Sequence, residues 1–333
     1  MSAQELVQRI RALHIPHLHY ERARNQVNAQ TLLMPEGHVI VLAGPTRAGK
    51  TTLVQEVHKG LQPKNQADQR QPSLYVQVET TDRGAISTRY LFSKILQALG
   101  HPFHSDISNA ALRATETAIR LRIPHAMAHR ETKVLILDEA HHLLRERSRA
   151  SAGAALDSLK CLANETGVRI LLSGGYQLLT TCFASAHLNG RLNVVELPRY
   201  SSSPSDADEF DRILATYDLM LPWSSGCSLF KMRQHIYNGT LGCCGLISSW
   251  VQLAIACMHA EGQRKLNASH FRTGRLEQQI EEIRRDIELG ESLLTELPYF
   301  HNAPVASQET RPRRYPPGKR NPKRDQVRHH DEK

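Results

Sequence analysis

The stretch Gly44-Pro45-Thr46-Arg47-Ala48-Gly49-Lys50-Thr51, with Thr52 after it, constrains this chain more than any other. It reads G-x-x-x-x-G-K-T. The run before it, His38 to Ala43, is apolar and β-branched, as a strand buried on both faces should be. The run after it carries Leu53, Val54, Val57 and Leu61 at helical spacing. A loop of this composition between a strand and a helix is the context of a phosphate-binding loop. Its glycines let the backbone curl until several N–H groups point at phosphate oxygens, and the helix that follows adds the positive end of its dipole. Lys50 can reach the β- and γ-phosphates, and the Thr51 hydroxyl can hold Mg²⁺.

A second stretch turns phosphate binding toward hydrolysis. Val134-Leu135-Ile136-Leu137 reads as a buried strand, and it ends in two carboxylates, Asp138 and Glu139. Asp138 is placed to hold Mg²⁺. Glu139 can orient and deprotonate an attacking water, or it can cap the helix that follows. Many phosphate-loop GTPases carry a single acid here and read their base with Asn-Lys-x-Asp, which this sequence lacks. The adjacent pair favours an ATPase with its own base, so ATP and Mg²⁺ are the expected cofactors.

Strand-like runs alternate with helical ones: 38–43, 74–79, 134–139, 168–173 and 193–197 are the strands. The helical run over 107–130 should break at Pro124. This β-α alternation predicts a five-stranded parallel sheet with helices on both faces. Both motifs would lie at the carboxyl ends of their strands, where such sheets bind ligands. The strand near 169–173 should lie between the two motif strands. Its polar end, Ser173, either bonds an attacking water or γ-phosphate or satisfies a turn. Ahead of the first strand, Tyr20 or His17 either stacks on a bound base or packs as ordinary surface. The expected boundaries are an N-terminal helical segment over 1–34, the α/β core over 35–200, an all-helical lid over 201–300 and a disordered basic tail over 301–333. Helix 273–296 carries Leu276, Ile280, Ile283, Ile287 and Leu294 as an apolar seam, expected to pack on the lid or on a neighbouring subunit.

The formal charge is +9, and residues 311–333 hold nine Lys/Arg against three Asp/Glu. A tail this basic suggests a polyanion partner, most often nucleic acid. The six cysteines form no C-x-x-C pair and read as reduced, mostly buried thiols of a cytoplasmic protein. No apolar stretch reaches the ~20 residues of a membrane helix.

The order of these features resembles AAA+ ATPases, and within them the TnsC/TniB type of transposition regulator. The residues that carry the likeness are Gly44–Thr51, Leu135-Ile136-Leu137-Asp138-Glu139-Ala140-His141-His142-Leu143-Leu144, Ile170–Gly175, Gly190-Arg191-Leu192 with Glu196-Leu197-Pro198, and Gly239-Thr240-Leu241-Gly242. The resemblance implies an AAA+ fold with a C-terminal helical lid. It implies an ATP-dependent protein that oligomerises, as a ring or helix, on double-stranded DNA without sequence preference. Such a protein links a target-selection complex, in some members CRISPR-guided, to transposase subunits. Carried over by position, Lys50, Thr51, Asp138 and Glu139 keep the roles given above. Ser173 becomes the first sensor, and Arg191 the arginine finger that reaches a neighbour's γ-phosphate; the plainer reading makes Arg191 a solvated loop residue. No lid arginine stands near Gly239–Gly245, so turnover should be slow and stimulated by DNA or oligomerisation. DNA contacts are expected at Thr81 and Arg83, and at Arg145, Arg147 and Arg149. Two other classes fit the phosphate loop. One is a signalling ATPase switch that acts on a protein partner without DNA. The other is a small-molecule kinase, which would need an arginine-rich lid that is absent after residue 205.

Overall fold

A computed structural model describes residues 2–65, 68–79, 87–102, 115–144, 149–184, 191–272 and 276–296. Residues up to Leu294 form one unit. The five strands are β1 (Val39–Ala43), β2 (Ser73–Gln77), β3 (Val134–Asp138), β4 (Arg169–Gly174) and β5 (Leu192–Glu196). All pair in parallel, in the order β2-β3-β4-β1-β5. β4 therefore lies between the phosphate-loop strand and the acid-pair strand, as the sequence predicts. β1 and β3 are buried along their whole length, which is what strands covered on both faces require.

Helices α1 (Ala3–Ala12) and α2 (Leu18–Leu33) precede the sheet. α3 (Lys50–Leu61) starts inside the phosphate loop, and α4 (Thr88–Ala98) follows β2. α5 (Glu116–His129) runs unbroken through Pro124, contrary to the expected break there. Proline removes one backbone donor and strains the helix at that point. Here the helix is held by Thr115, whose side chain accepts from the Ala118 N–H, and by Ile119, Ile123 and Met127 buried one turn apart. A short 3₁₀ turn, Ala140–Leu144, follows the acid pair. α6 (Arg149–Thr166) and α7 (Gln177–Ala184) flank β4 in sequence.

After β5 the chain is helical: α8 (Pro204–Asp218), α9 (Arg233–Thr240), α10 (Cys244–Ala260) and α11 (Leu276–Glu296). The sequence suggests one helix from 241 to 261, but Leu241 and Gly242 both take positive φ and the chain turns sharply before α10. Gly242 has no alternative, because a Cβ there would lie 2.0 Å from the Tyr200 carbonyl oxygen. The helical part has its own core of Phe210, Leu214, Ile236, Trp250, Ile255 and Phe271, and α1 joins it through Leu6 and Ile10. Each such fully buried aliphatic side chain contributes about 1.5–3 kcal/mol. Among the described residues no single helix is long and apolar enough to cross a membrane. The six cysteines are unpaired, and fewer are buried than expected: Cys182 and Cys243 are buried, while Cys161 is exposed.

His17 joins the N-terminal helices to the chain after β5. Its Nδ1 accepts from the Tyr200 hydroxyl at 2.8 Å and, more weakly, from the Tyr20 N–H at 3.4 Å, where it caps α2. Two donors aimed at one ring nitrogen require an unprotonated nitrogen. Burial, aided by neighbouring His19 and His14, lowers the pKa of His17 to about 4. An unfolded chain takes up a proton near the ordinary histidine value of 6.5 while the native chain does not. Stability therefore falls as pH drops below that value, and the loss is complete below about 4. Between pH 7 and 5, urea denaturation of the wild type should lose about 2 kcal/mol more than His17→Asn, which keeps a capping oxygen. Parallel curves for the two proteins would contradict a neutral, buried His17.

Candidate active site

The phosphate loop hangs between the end of β1 and the start of α3. Arg47 and Gly49 take positive φ, and Ala48 N–H bonds back to Pro45, which curls the backbone. The Lys50 side chain is buried, and its ammonium donates to the carbonyls of Gly44 at 2.9 Å and Pro45 at 2.8 Å. Burial pulls the Lys50 pKa below the ordinary lysine range, while Glu139, Asp286 and Asp138 pull it back. Twelve residues of α3 aim their dipole at the loop.

The acid pair faces the same region. Asp138 is fully buried; its Oδ2 accepts from the Tyr75 hydroxyl at 3.0 Å and its Oδ1 from the Glu139 N–H at 3.0 Å. Tyr75 could not be singled out from sequence, because its partnership depends on the parallel register that sets Gln77 beside Asp138. Glu139 sits at φ 54, a conformation that costs a non-glycine residue energy. Its Oε2 lies 3.2 Å from His141 Nδ1. The contact with His141 holds the Glu139 carboxyl below the usual range, against burial, which raises it. A carboxylate kept ionised beside a buried ammonium is what a base for water requires.

Ser173 is the penultimate residue of β4, paired with Leu42 of β1. It is fully buried, and its Oγ has no hydrogen-bond partner. A buried hydroxyl left unpaired costs energy unless something else bonds it. Lys50, Asp138, Glu139 and Ser173 thus come together at the carboxyl edge of β1, β4 and β3.

Arg191 does not join them. It precedes β5 at the opposite edge of the sheet, a strand's length or ~16 Å away along parallel β1. Its side chain is exposed and bonds Asn164 Oδ1. Thr81, Arg83, Arg145 and Arg147 lie outside the described residues, as does the side chain of Arg149.

A cavity of about 1230 Å³ opens over the loop, roomy enough for a nucleotide. The loop's curl, the helix dipole and the buried ammonium fit a triphosphate, and the Thr51 hydroxyl and Asp138 carboxylate are oxygen donors of the kind a divalent cation takes. His14, His17 and Tyr20 line the cavity wall ahead of the sheet. Tyr20 packs edge-on against His14 and gives its hydroxyl to Glu56, so it is both a core residue and a cavity residue. The lid side contributes Gly245, Ser248, Ser249 and Gln252, and no arginine among the described residues. Glu282, Ile283 and Asp286 of α11 complete the wall, although the sequence placed that helix only on an apolar seam.

Residues 35–181 match the family described as AAA domain. This segment is an AAA-type P-loop ATPase domain. No curated protein matches the chain by sequence. Among solved structures, the ORC2 protein of Aeropyrum pernix in its ADPNP–ADP complexes is 15% identical, with a TM-score of 0.52 over 83% of this chain and 69% of that one. Its ADP form is 16% identical, with a TM-score of 0.50 over 83% and 70%. Drosophila ORC bound to DNA is 14% identical over 85% and 66%, and its TM-score of 0.49 is too low to carry an argument. At these identities the likeness is one of fold: an AAA+ α/β sheet followed by helices.

The lid meets the phosphate loop very closely at Gly245. Gly245 N–H, in the first turn of α10, donates to the Arg47 carbonyl at 2.9 Å, and a Cβ on Gly245 would lie 2.3 Å from that oxygen. Gly245→Ala should therefore push α10 off the loop, cost about 1–3 kcal/mol in urea denaturation, and weaken nucleotide binding. Unchanged stability and nucleotide affinity in Gly245→Ala would show that lid and loop do not make this contact.

Proposed function

We propose that this protein is an ATP-hydrolysing, DNA-associated ATPase whose copies assemble along duplex DNA. More finely, we propose a transposition regulator of the TnsC/TniB kind, which links a target-selection complex to transposase subunits. The observation that carries the ATPase reading is the convergence of Lys50, the Asp138–Glu139 pair and the unpartnered Ser173 at the ends of three adjacent strands. The finer reading is supported by the Asp-Glu-Ala-His-His run and by the order of motifs around it. The DNA reading is supported by the charge of +9 and its concentration in the last 23 residues.

Bound ATP supplies the anhydride bond, and Mg²⁺ offsets its charge. The remaining work falls to side chains of the chain itself. The loop from Gly44 to Thr52 and the Lys50 ammonium bind phosphate; Thr51 and Asp138 would hold the metal. Glu139, kept anionic by His141, takes a proton from water. Ser173 donates to that water or to a phosphate oxygen. Arg191 stands on the far edge of the sheet from its own loop; in this reading it serves the nucleotide of a neighbouring copy. On this proposal turnover depends on assembly. Thr81, Arg83, Arg145, Arg147, Arg149 and the basic tail are the proposed phosphate contacts on DNA.

Turnover measured with and without a random-sequence duplex tests this function. It should rise with duplex, and the duplex should shift in a gel only with ATP, less so at high salt. Lys50→Ala should lose nucleotide binding and assembly together. Glu139→Gln should keep binding and lose turnover about a hundredfold or more, leaving long-lived DNA complexes. Arg191→Ala should bind ATP normally but lose duplex-stimulated turnover. Turnover indifferent to duplex, with no shift, would leave a partner-protein switch as the better reading.

A further inference from the structure

α11 was expected to bury an apolar seam, and it does: Ile280, Ile283 and Ile287 pack on Leu241, Cys243 and Leu246 of the lid. Its other contacts have no such purpose. Gly290 sits so close to the Tyr176 ring that a Cβ would fall 2.1 Å from it. Arg199, just past β5, grips Glu291 through two bonds, the shorter 2.7 Å. These contacts seat the helix firmly across the end of β4. Between them, one turn before Gly290, Asp286 turns toward the cavity. It lies beside Gly175, with an oxygen 3.6 Å from where a Cβ would stand. Its Oδ1 is buried without a hydrogen-bond partner. Burial raises the Asp286 pKa above the usual range, with Lys50 and His141 acting against the rise, so both of those groups lie within its field.

Position decides what this carboxylate meets. The α- and β-phosphates belong at the N-terminus of α3, by Gly49–Thr52. The γ-phosphate belongs farther out, toward Glu139 and the end of β4, and that is the side Asp286 occupies. A diphosphate therefore fits under the seated helix, whereas a third phosphate brings like charge against a carboxylate oxygen that has no hydrogen-bond partner.

We propose that Asp286 is the residue that distinguishes ATP from ADP, by admitting the diphosphate with α11 seated and the triphosphate only when α11 lifts. Lifting uncovers Ile280, Ile283 and Ile287, a seam that a second copy can cover, which would make assembly a consequence of the third phosphate. This inference rests on the nucleotide reading above.

Calorimetric titration of the full chain with Mg²⁺ and either ADP or a non-hydrolysable ATP analogue tests it. Asp286→Asn should favour the triphosphate over the diphosphate by about tenfold relative to the wild type, with ADP affinity changed less than twofold. Arg199→Ala, which loosens the helix from outside the cavity, should shift the ratio the same way. Hydrogen exchange over 276–296 should rise with the ATP analogue and not with ADP. An unchanged ratio in Asp286→Asn overturns the proposal, as does weaker ATP binding, which would make Asp286 a ligand for nucleotide or metal. Lys50→Ala separates the two readings. If it binds both nucleotides as the wild type does, the nucleotide reading fails and this inference with it. If it binds neither while the Asp286→Asn ratio is unchanged, only this inference fails.

Discussion

Lys50 keeps a positive charge out of water on two backbone carbonyls, those of Gly44 and Pro45, and the acidic groups of the site are arranged around that charge. A buried ammonium is costly unless it is paired and bonded. Asp138 and Glu139, adjacent at the end of β3, and Asp286 of α11 supply the opposite sign; Asp138 is held by the Tyr75 hydroxyl, and Glu139 lies against His141. The site thus stores attraction for a cation–polyanion pair such as a metal-bound nucleotide. It also stores a conflict, because one of the three carboxylates stands where further negative charge would go.

The sheet makes this arrangement possible. Parallel register carries the ends of β3, β4 and β1 to one edge, so residues as far apart in sequence as Leu42 and Ser173 become neighbours. The lid then closes on the loop through Gly245, where a bare backbone meets the Arg47 carbonyl. Helices from both ends of the chain complete the walls: α1 packs into the lid core, and α11 crosses the end of β4. The N-terminal helices, the lid and the phosphate loop therefore share one boundary, the cavity itself.

The sequence made the strands and the phosphate chemistry legible because both leave short-range marks. Val39–Ala43 and Val134–Asp138 are continuous apolar runs, and G-x-x-x-x-G-K-T specifies a local backbone path. Even the placement of β4 between them followed. Two readings failed for related reasons. The break expected at Pro124 did not occur, since buried Ile119, Ile123 and Met127 hold that helix on both sides of the proline. The helix expected from residue 241 begins three residues later, because Gly242 must pass beneath the Tyr200 carbonyl, a contact that no periodicity records. Asp286 stayed hidden for a third reason. On a helix with an apolar seam between charged faces, an inward acid looks like one more solvated charge, and only packing against Gly175 shows which way it points. Arg191 was legible as an arginine before β5; its distance from its own loop was not.

On this proposal the loop from Gly44 to Thr51 holds phosphate through its backbone. Hydrogen exchange of the peptide spanning residues 44–52, with and without saturating nucleotide and Mg²⁺, tests it most directly. These amides should slow markedly on nucleotide addition while those of α5 stay unchanged. Equal exchange across 44–52 in the two conditions would contradict it.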